Sequence, residues 1–283
     1  MAALSGIRTT ELPAGEAVPV LGQGTWAMGE DARKCKDEVA ALRLGIDLGM
    51  TLIDTAEMYA NGGAEQVVGE AIAGRRAEVF LVSKVLPENA SSRGTIAACE
   101  RSLQRLGTDA IDLYLLHWRG SVPLAQTIEA FETLMKDGKI RHWGVSNLDI
   151  DDMVELVALP GGDACQTNQL LYNPTRRGIE WDLLPWSLKH SMTVMAYSPI
   201  EQGRMLRNPA LLPIAARHDA TPAQIVLAWV MRTDGIIAIP KASTLEHVKE
   251  NRAALDVRLT DDYLAALDAA FPPPKAPKSL EML

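Results

Sequence analysis

The sequence predicts an α/β fold, a (β/α)8 TIM barrel, from three observations. Short runs rich in β-branched and aliphatic residues alternate strictly with longer segments of helical periodicity. The alternation gives eight strand–helix units, and eight units in roughly 240 residues match the usual size of such a barrel. The other fold with this alternation, a doubly wound open sheet, predicts a G-x-G-x-x-G turn after its first strand. The residues that follow Gly22-Gln-Gly24 lack the third glycine, so the barrel is favoured.

The strands are predicted at the short apolar runs. They are Leu21–Trp26, Met50–Ala56, Val79–Val85, Ile111–Trp118, Ile140–Asn147, Ala164–Tyr172, Met192–Pro199 and Ile236–Ala242. The periodic segments predict helices at Ala32–Leu48, Ala64–Ala73, Ser92–Leu106, Leu124–Asp137, Ile150–Ala158, Ile179–His190, Pro222–Thr233 and Leu245–Ala253. Local signals support these boundaries: Thr221-Pro222 is typical of a helix start, and Gly49, Gly107 and Gly138 each follow a helix.

Two further segments lie outside the eight units. Ile7–Thr10 and Ala17–Val20 predict an N-terminal β-hairpin, which would plug the N-terminal face of the barrel. Thr260–Phe271 predicts an extra C-terminal helix, and Pro272-Pro-Pro274 begins an extended tail because proline stops a helix. No linker separates these parts, so residues 1–283 are predicted to form a single domain.

Composition excludes several classes of protein. The chain has 283 residues, 47% of them apolar, and a formal net charge of −8, which disfavours binding to nucleic acid and to anionic lipid. Its three cysteines form no CxxC, which argues against a disulfide framework and a zinc site. Met1-Ala-Ala-Leu-Ser5 has no basic region before an apolar core, and no apolar stretch approaches the length of a membrane span. We therefore expect a cytoplasmic monomer with a small-molecule substrate.

Four polar side chains are predicted to meet at the C-terminal ends of the strands, where barrels of this kind place their chemistry. Asp54, Lys84 and His117 lie at the ends of the second, third and fourth strands, and Tyr59 follows the second. Lys84 would favour the phenolate of Tyr59 and bring its pKa toward the working range, while Asp54 would keep the lysine charged. His117 would orient a carbonyl oxygen. Singly, each residue is more typical of a surface or a cap, but together they indicate carbonyl reduction by a nicotinamide cofactor.

Four segments resemble the signature of the aldo-keto reductases over nearly the whole chain. They are Asp54-Thr-Ala-Glu-Met-Tyr59 with its continuation to Gly69, Leu103–His117, Gly138–Asn147 and Ile239-Pro-Lys-Ala-Ser243. The resemblance implies that Tyr59 is the proton donor and that Asp54, Lys84 and His117 complete a catalytic tetrad. The C-terminal third is similar to a bacterial branch that includes methylglyoxal and 2,5-diketogluconate reductases.

The resemblance also implies a cofactor site for NADP, with NAD as the open alternative. The implied cofactor contacts are Gly24, Thr25, Asp54, Ser146, Asn147, Gln169, Tyr197, Ser198, Pro199, Arg204, Lys241, Ser243, His247, Glu250 and Asn251. His247 stands where relatives that use NADPH often carry arginine, and histidine is mostly neutral at pH 7. The preference for NADP therefore depends on Lys241 and Ser243, aided by Arg204.

The substrate pocket is predicted at the same rim. Trp26 and Trp118 end strands beside Tyr59 and His117, so the two tryptophans are expected to form the pocket wall. The short, proline-stiffened tail suggests an open pocket. Small aldehydes and ketones, among them α-dicarbonyls such as methylglyoxal, would fit, and so would sugars or keto-sugars.

Other hypotheses for this barrel are weaker. Lys84 could form a Schiff base as in an aldolase, but pairing with Asp54 would keep it protonated. A non-catalytic, cofactor-sensing subunit of the same fold is the alternative to an enzyme. No metal site is expected, because the five histidines include no HxH or HExxH pair.

Overall fold

The computed structural model describes residues 6–283, so the N-terminal pentapeptide in which no signal sequence was predicted lies outside the described residues. The strands in this part of the chain are β1 (Thr9–Glu11), β2 (Ala17–Pro19), β3 (Gln23–Gly24), β4 (Leu52–Asp54), β5 (Phe80–Val85), β6 (Ile111–Leu116), β7 (Ile140–Ser146), β8 (Thr167–Leu171), β9 (Thr193–Tyr197) and β10 (Ile236–Ala238). β1 and β2 form the predicted antiparallel hairpin, and β3 to β10 lie side by side in chain order, all parallel.

Backbone hydrogen bonds between the first and last strands close this sheet into a ring. The amide of Gly22 donates to the carbonyl oxygen of Ala238 at 2.8 Å, and the amide of Gly24 donates to that of Pro240 at 3.0 Å. The closure requires glycine, since a Cβ on Gly24 would lie 2.7 Å from the carbonyl oxygen of Ile239. The predicted (β/α)8 barrel is confirmed.

Helices follow the strands around the outside. They are α1 (Cys35–Asp47), α2 (Gly63–Ile72), α3 (Ser92–Leu106), α4 (Leu124–Lys136), α5 (Ile150–Ala158), α6 (Leu183–Lys189), α7 (Leu211–Arg217), α8 (Pro222–Val230), α9 (Leu245–Ala253) and α10 (Asp261–Ala270). The cap predicted at Thr221 is present, because its hydroxyl accepts from the amide of Gln224 at 3.3 Å. The α7 helix was not predicted, and α6 is shorter than the predicted helix Ile179–His190 because a 3-10 turn and a break precede it. None of the helices in residues 6–283 is both long and apolar enough to cross a membrane.

The hairpin closes one end of the barrel interior. Leu12, between its strands, and Val18 of β2 are buried in the same apolar cluster as Leu52, Leu113 and Ile237 of the barrel strands. This arrangement confirms the plug predicted at the N-terminal face. The C-terminal ends of the strands lie at the other end, which the hairpin leaves free.

The tail after α10 is extended, as predicted, and returns to the barrel. Arg177 donates to the carbonyl oxygen of Phe271 at 2.6 Å, which fixes the end of α10. Further on, the carboxylate of Glu281 accepts from Arg176 at 2.7 Å. The loop after β8 therefore holds both ends of the tail.

Candidate active site

The interior face of each strand carries apolar residues and then a polar one at its C-terminal end. Successive side chains of a strand point to opposite faces, so residues two apart share a face. In β5 the buried interior residues Phe80 and Val82 are followed by Lys84. In the same way Leu52 is followed by Asp54, and Leu113 and Leu115 are followed by His117. The two-residue period of the core therefore delivers these three groups to one end of the barrel.

Lys84 lies at the centre of the group that results. Its ammonium donates to the carboxylate of Asp54 at 2.8 Å, to the carbonyl oxygen of Thr55 at 2.8 Å and to the hydroxyl of Tyr59 at 3.1 Å. The side chain of Lys84 is fully buried. Three acceptors match the three donors of an ammonium, which is the arrangement that a buried cation needs.

Asp54 is held from its other side as well. The amide nitrogen of Gln169 in β8 donates to its second carboxylate oxygen at 2.7 Å, and the hydroxyl of Thr25 donates to its backbone oxygen at 2.9 Å. The carboxylate thus links residues from opposite sides of the ring. Both carboxylate oxygens of Asp54 accept hydrogen bonds, which offsets the cost of burying them.

Tyr59 reaches the group from a tight loop after β4. The next three residues, Ala60, Asn61 and Gly62, all have positive φ, so the chain reverses sharply before α2. The ring of Tyr59 is 5.2 Å from that of Trp26 and 5.8 Å from that of His117, both edge-on. The phenol is therefore fixed between an aromatic wall and an imidazole.

Burial dominates the acidity of the phenol. It raises the pKa of Tyr59, against the effect of the Lys84 cation, which lowers it; the nearby Asp54 carboxylate raises it again. The net direction is upward, so the expectation that Lys84 brings the pKa of Tyr59 toward the working range is wrong. Tyr59 is a neutral phenol at pH 7, which is the form that donates a proton.

The charge states of Lys84 and His117 are also set by burial and by their neighbours. Burial alone would lower the pKa of Lys84, but Asp54 and Tyr59 raise it above its usual value. Burial lowers the pKa of His117 to about 2, and the Lys84 cation contributes in the same direction. The imidazole is therefore neutral, and its Nδ1 atom is buried without a hydrogen-bond partner among the described residues.

A second set of predicted residues forms a connected network beside the tetrad. The hydroxyl of Tyr197 donates to the side-chain oxygen of Asn147 at 3.0 Å, and the nitrogen of Asn147 donates to Ser146 and to the carbonyl oxygen of His117. Burial raises the pKa of Tyr197 to about 12. These neutral amide and hydroxyl groups can recognise a carboxamide, which both donates and accepts hydrogen bonds.

The loops after β9 and β10 offer groups that suit a phosphate. The ammonium of Lys241 donates to the hydroxyl of Ser243 at 3.2 Å, and Thr244 caps α9 by accepting from the amide of His247. In the loop after β9, the hydroxyl of Ser198 is buried without a partner in the described part of the chain. A cation, a free hydroxyl and a helix N-terminus are the elements of an anion site.

Four predicted cofactor residues lie in the loop after β9 and on α9. Arg204 is paired with Glu201 at 3.1 Å and its side chain is largely exposed. His247, Glu250 and Asn251 all lie on α9, and of these Asn251 is buried. No contact within residues 6–283 joins these four to the tetrad, so their predicted role is not tested by the geometry.

Both predicted pocket tryptophans flank the tetrad. Trp26 is half exposed and contacts Tyr59, while Trp118 lies 4.8 Å from the ring of His117. They form an aromatic rim around the two groups that would contact a carbonyl oxygen.

Sequence reasoning missed one residue that shapes the site. The carboxylate of Glu57 accepts from the amide of Leu86 and from the side chain of Asn89, both at 2.9 Å, and so ties the Tyr59 loop to the end of β5. Its position between Asp54 and Tyr59 was the available signal. Within the described residues, no group of three or more metal-ligating side chains could hold a metal ion.

Comparison with known proteins decides the family. The model of the aldo/keto reductase family matches residues 20–271. The chain belongs to the aldo/keto reductase family. It is therefore an oxidoreductase, and the resemblance inferred from the sequence motifs is confirmed.

Individual relatives match over nearly their full length. Methylglyoxal reductase YeaE of Escherichia coli strain K12 is 57% identical over 272 residues, which is 94% of this chain and 96% of that protein. Methylglyoxal reductase DkgB of Escherichia coli O157:H7 is 32% identical over 89% of this chain and 94% of its own. The crystal structure of an aldo/keto reductase from Klebsiella pneumoniae, in complex with NADP and acetate, is 52% identical. It superposes with a TM-score of 0.95, covering 98% of this chain and 100% of that one.

Proposed function

We propose that the protein reduces small aldehydes and ketones, including α-dicarbonyls such as methylglyoxal, to alcohols, with NADPH as the reductant and Tyr59 as the proton donor. The observation that carries this proposal is the buried Lys84 ammonium, which joins the Asp54 carboxylate to the Tyr59 hydroxyl. The names of the two Escherichia coli relatives support methylglyoxal as a substrate.

The residues present fit NADP. The hydroxyl of Ser198, which is buried without a partner among the described residues, and the Lys241 ammonium suit phosphate. Asn147, Ser146 and Tyr197 suit a nicotinamide carboxamide. The NADP in the Klebsiella pneumoniae structure supports the same assignment. When bound, the cofactor supplies the hydride that reduces the carbonyl carbon.

The protein's own groups act on the carbonyl oxygen. Tyr59, neutral at pH 7, donates its proton to that oxygen as negative charge develops there. The Lys84 ammonium, 3.1 Å from the phenolic oxygen, stabilises the phenolate that remains. Asp54 keeps the ammonium charged, and the same charge disfavours a Schiff base on Lys84, which needs a neutral amine.

His117 and the tryptophans orient the substrate. The neutral imidazole can donate one N–H to the carbonyl oxygen, which fixes the carbonyl beside the Tyr59 hydroxyl without adding a second cation. Trp26 and Trp118 limit access of water at the rim. A pocket with aromatic walls and one polar end suits a small carbonyl compound.

Tyr59→Phe tests the proposal, because it removes the proton and keeps the ring. Turnover of methylglyoxal, followed by NADPH absorbance, should fall on the order of 10²- to 10⁴-fold. NADPH binding, followed by fluorescence, should persist. The matched control is Tyr263→Phe in α10, a tyrosine that contacts His218 and should be dispensable.

Two outcomes would contradict the proposal. Unchanged turnover in Tyr59→Phe would show that another group donates the proton. Tight NADPH binding by the native chain, with no turnover across a panel of aldehydes and ketones, would favour the cofactor-sensing alternative. The same assay with NADH measures the proposed preference for NADPH.

A further inference from the structure

We propose that Glu38 is a positioning residue, which holds the loop of Trp26 against the loop of Tyr59 and so sets the width of the carbonyl pocket. Glu38 lies in the first turn of α1, outside the barrel, and does not touch the tetrad. The proposal rests on the function proposed above, because it concerns how the same pocket receives its substrate.

Glu38 is a buried carboxylate with one directed contact in the described structure. The residue is 2% exposed, and its Oε2 atom accepts from the backbone amide of Gly29 at 2.9 Å. Burying a carboxylate is costly unless it is well hydrogen-bonded, so a polar group in this position needs a reason. A bond between a charged acceptor and a backbone amide is about twice as strong as a neutral one.

The segment that Glu38 anchors has an unusual backbone. Ala27 has a φ of 61° and Gly29 a φ of 78°, so the chain turns twice through the left-handed region within three residues. Such a conformation is unfavourable in alanine and persists only where surrounding contacts impose it. The buried side chain of Met28 and the Glu38 bond to Gly29 are the contacts that impose it here.

The segment that contains Gly29 is in close contact with the loop of Tyr59. A Cβ on Gly29 would lie 2.5 Å from the carbonyl carbon of Gly63, so the two backbones approach as closely as glycine allows. Gly63 follows Tyr59 by four residues and begins α2. Any shift of Gly29 therefore moves the two loops relative to each other.

The position of Trp26 at the pocket depends on this segment. Its ring meets that of Tyr59 edge-on, with centroids 5.2 Å apart and planes at 84°, but the residue is 50% exposed. Burial alone therefore does not fix the ring, and its position depends on the backbone that follows it. Glu38 supplies the anchor three residues further along, at Gly29.

The test compares Glu38→Ala with Glu38→Gln. The alanine removes the acceptor, and the KM for methylglyoxal should rise roughly five- to tenfold, with a smaller change in kcat and no change in NADPH affinity. The glutamine keeps an oxygen that can accept from Gly29 and should restore a nearly native KM. Hydrogen–deuterium exchange of the peptide that contains Gly29 should increase in Glu38→Ala only.

A double-mutant cycle separates positioning from general stability. In a Trp26→Ala background the further change Glu38→Ala should alter KM less than twofold, because the side chain through which it acts is gone. The matched control is Asp112→Asn, which alters another buried carboxylate that accepts a backbone amide, that of Leu81 at 2.7 Å. Asp112 is the second residue of β6, toward the end of the strand opposite His117, so its loss should lower stability without changing KM.

Three results would overturn the proposal. They are a native KM in Glu38→Ala, changes in KM for Glu38→Ala and Trp26→Ala that multiply in the double variant, and unchanged hydrogen–deuterium exchange at Gly29 in Glu38→Ala. If Glu38→Ala fails to fold, Glu38→Asp replaces it, since the shorter side chain withdraws the carboxylate from Gly29 and keeps the charge. Tyr59→Phe in the same assay separates this failure from that of the proposed function, because it tests proton donation independently of the pocket wall.

Discussion

The position of His117 decides its charge. The residue follows an interior strand of the barrel, and its ring is enclosed by Tyr59 and Trp118 beside the Lys84 cation. Burial together with that cation lowers its pKa to about 2, so the imidazole is neutral throughout the physiological range. A neutral ring can donate one N–H to a carbonyl oxygen, which is the role proposed for it above.

The lowered pKa of His117 predicts a pH dependence of stability. Below pH 6.5 the unfolded chain takes up a proton on this histidine, whereas the folded chain does not until about pH 2. The free energy of unfolding should therefore fall with falling pH in this window, by up to about 1.4 kcal/mol per pH unit. His117→Gln lacks this contribution, so urea unfolding at pH 7 and pH 5.5 should show a shallower loss in the variant. Equal slopes would mean that the folded protein protonates His117.

Individual site residues differ in how far the sequence reveals them. Asp54, Lys84 and His117 were predictable, because each continues a two-residue apolar period to the end of a strand. The acidity of Tyr59 was predicted wrongly, because the sequence shows a neighbouring cation and does not show complete burial. The contact of Glu38 with Gly29 left no signal, since it spans nine residues through a left-handed turn.

The loops at the C-terminal ends of the strands hold most of the unfavourable backbone conformations. Non-glycine residues with positive φ in these loops are Ala27, Ala60, Asn61, Asn147, Ser198, Glu201 and Gln202. Such a conformation costs of the order of 1–3 kcal/mol in residues other than glycine and asparagine and persists only where the surroundings impose it. The cluster coincides with the candidate site, so the loops there are shaped for the positions of side chains at the expense of stability.

The strands were predicted better than the elements between β9 and α8. β5 and β6 are buried along their whole length, and most of their residues are apolar, which the sequence shows directly. The seven-residue α7 is too short for a clear helical period, and Pro213 lies within its first turn, where proline is tolerated. β3 has only two residues, because the neighbouring pairs with the last strand are isolated bridges.

Asp112 in β6 tests whether a residue can stabilise the fold without affecting catalysis. Its carboxylate accepts from the amide of Leu81 and pairs with Arg76 and Arg141, so it joins two strands and the outer surface. Asp112→Asn should lower the free energy of unfolding by about 1–3 kcal/mol, because the remaining amide pairs poorly with two guanidinium groups. Urea unfolding measures the loss, and kcat/KM per folded molecule should stay native. A large fall in kcat/KM would show that this side of the barrel also shapes the site.

Across the whole molecule, the two ends of the barrel have different tasks. Leu12 and Val18 of the hairpin close one end with apolar contacts. The other end carries the tetrad and the tail, and Arg176 lies between Glu281 of the tail and Glu201 of the loop after β9. Because the apolar contacts lie at the hairpin end and the polar groups at the opposite end, the core stabilises the fold without constraining the loops that would bind ligands.

This division predicts the effect of weakening the apolar contacts between the hairpin and the barrel strands. Leu12 is 3% exposed and lies in the apolar cluster with Leu52 and Phe80, so Leu12→Ala should lower the free energy of unfolding by about 2–5 kcal/mol through lost contacts and a cavity. The kinetic constants of the remaining folded protein should be native, because the hairpin lies at the opposite end of the barrel from the tetrad. Leu212→Ala in α7 is the control, since that leucine is 56% exposed. Urea unfolding of both variants decides: an unchanged midpoint for Leu12→Ala would mean that the hairpin does not fold as one unit with the barrel.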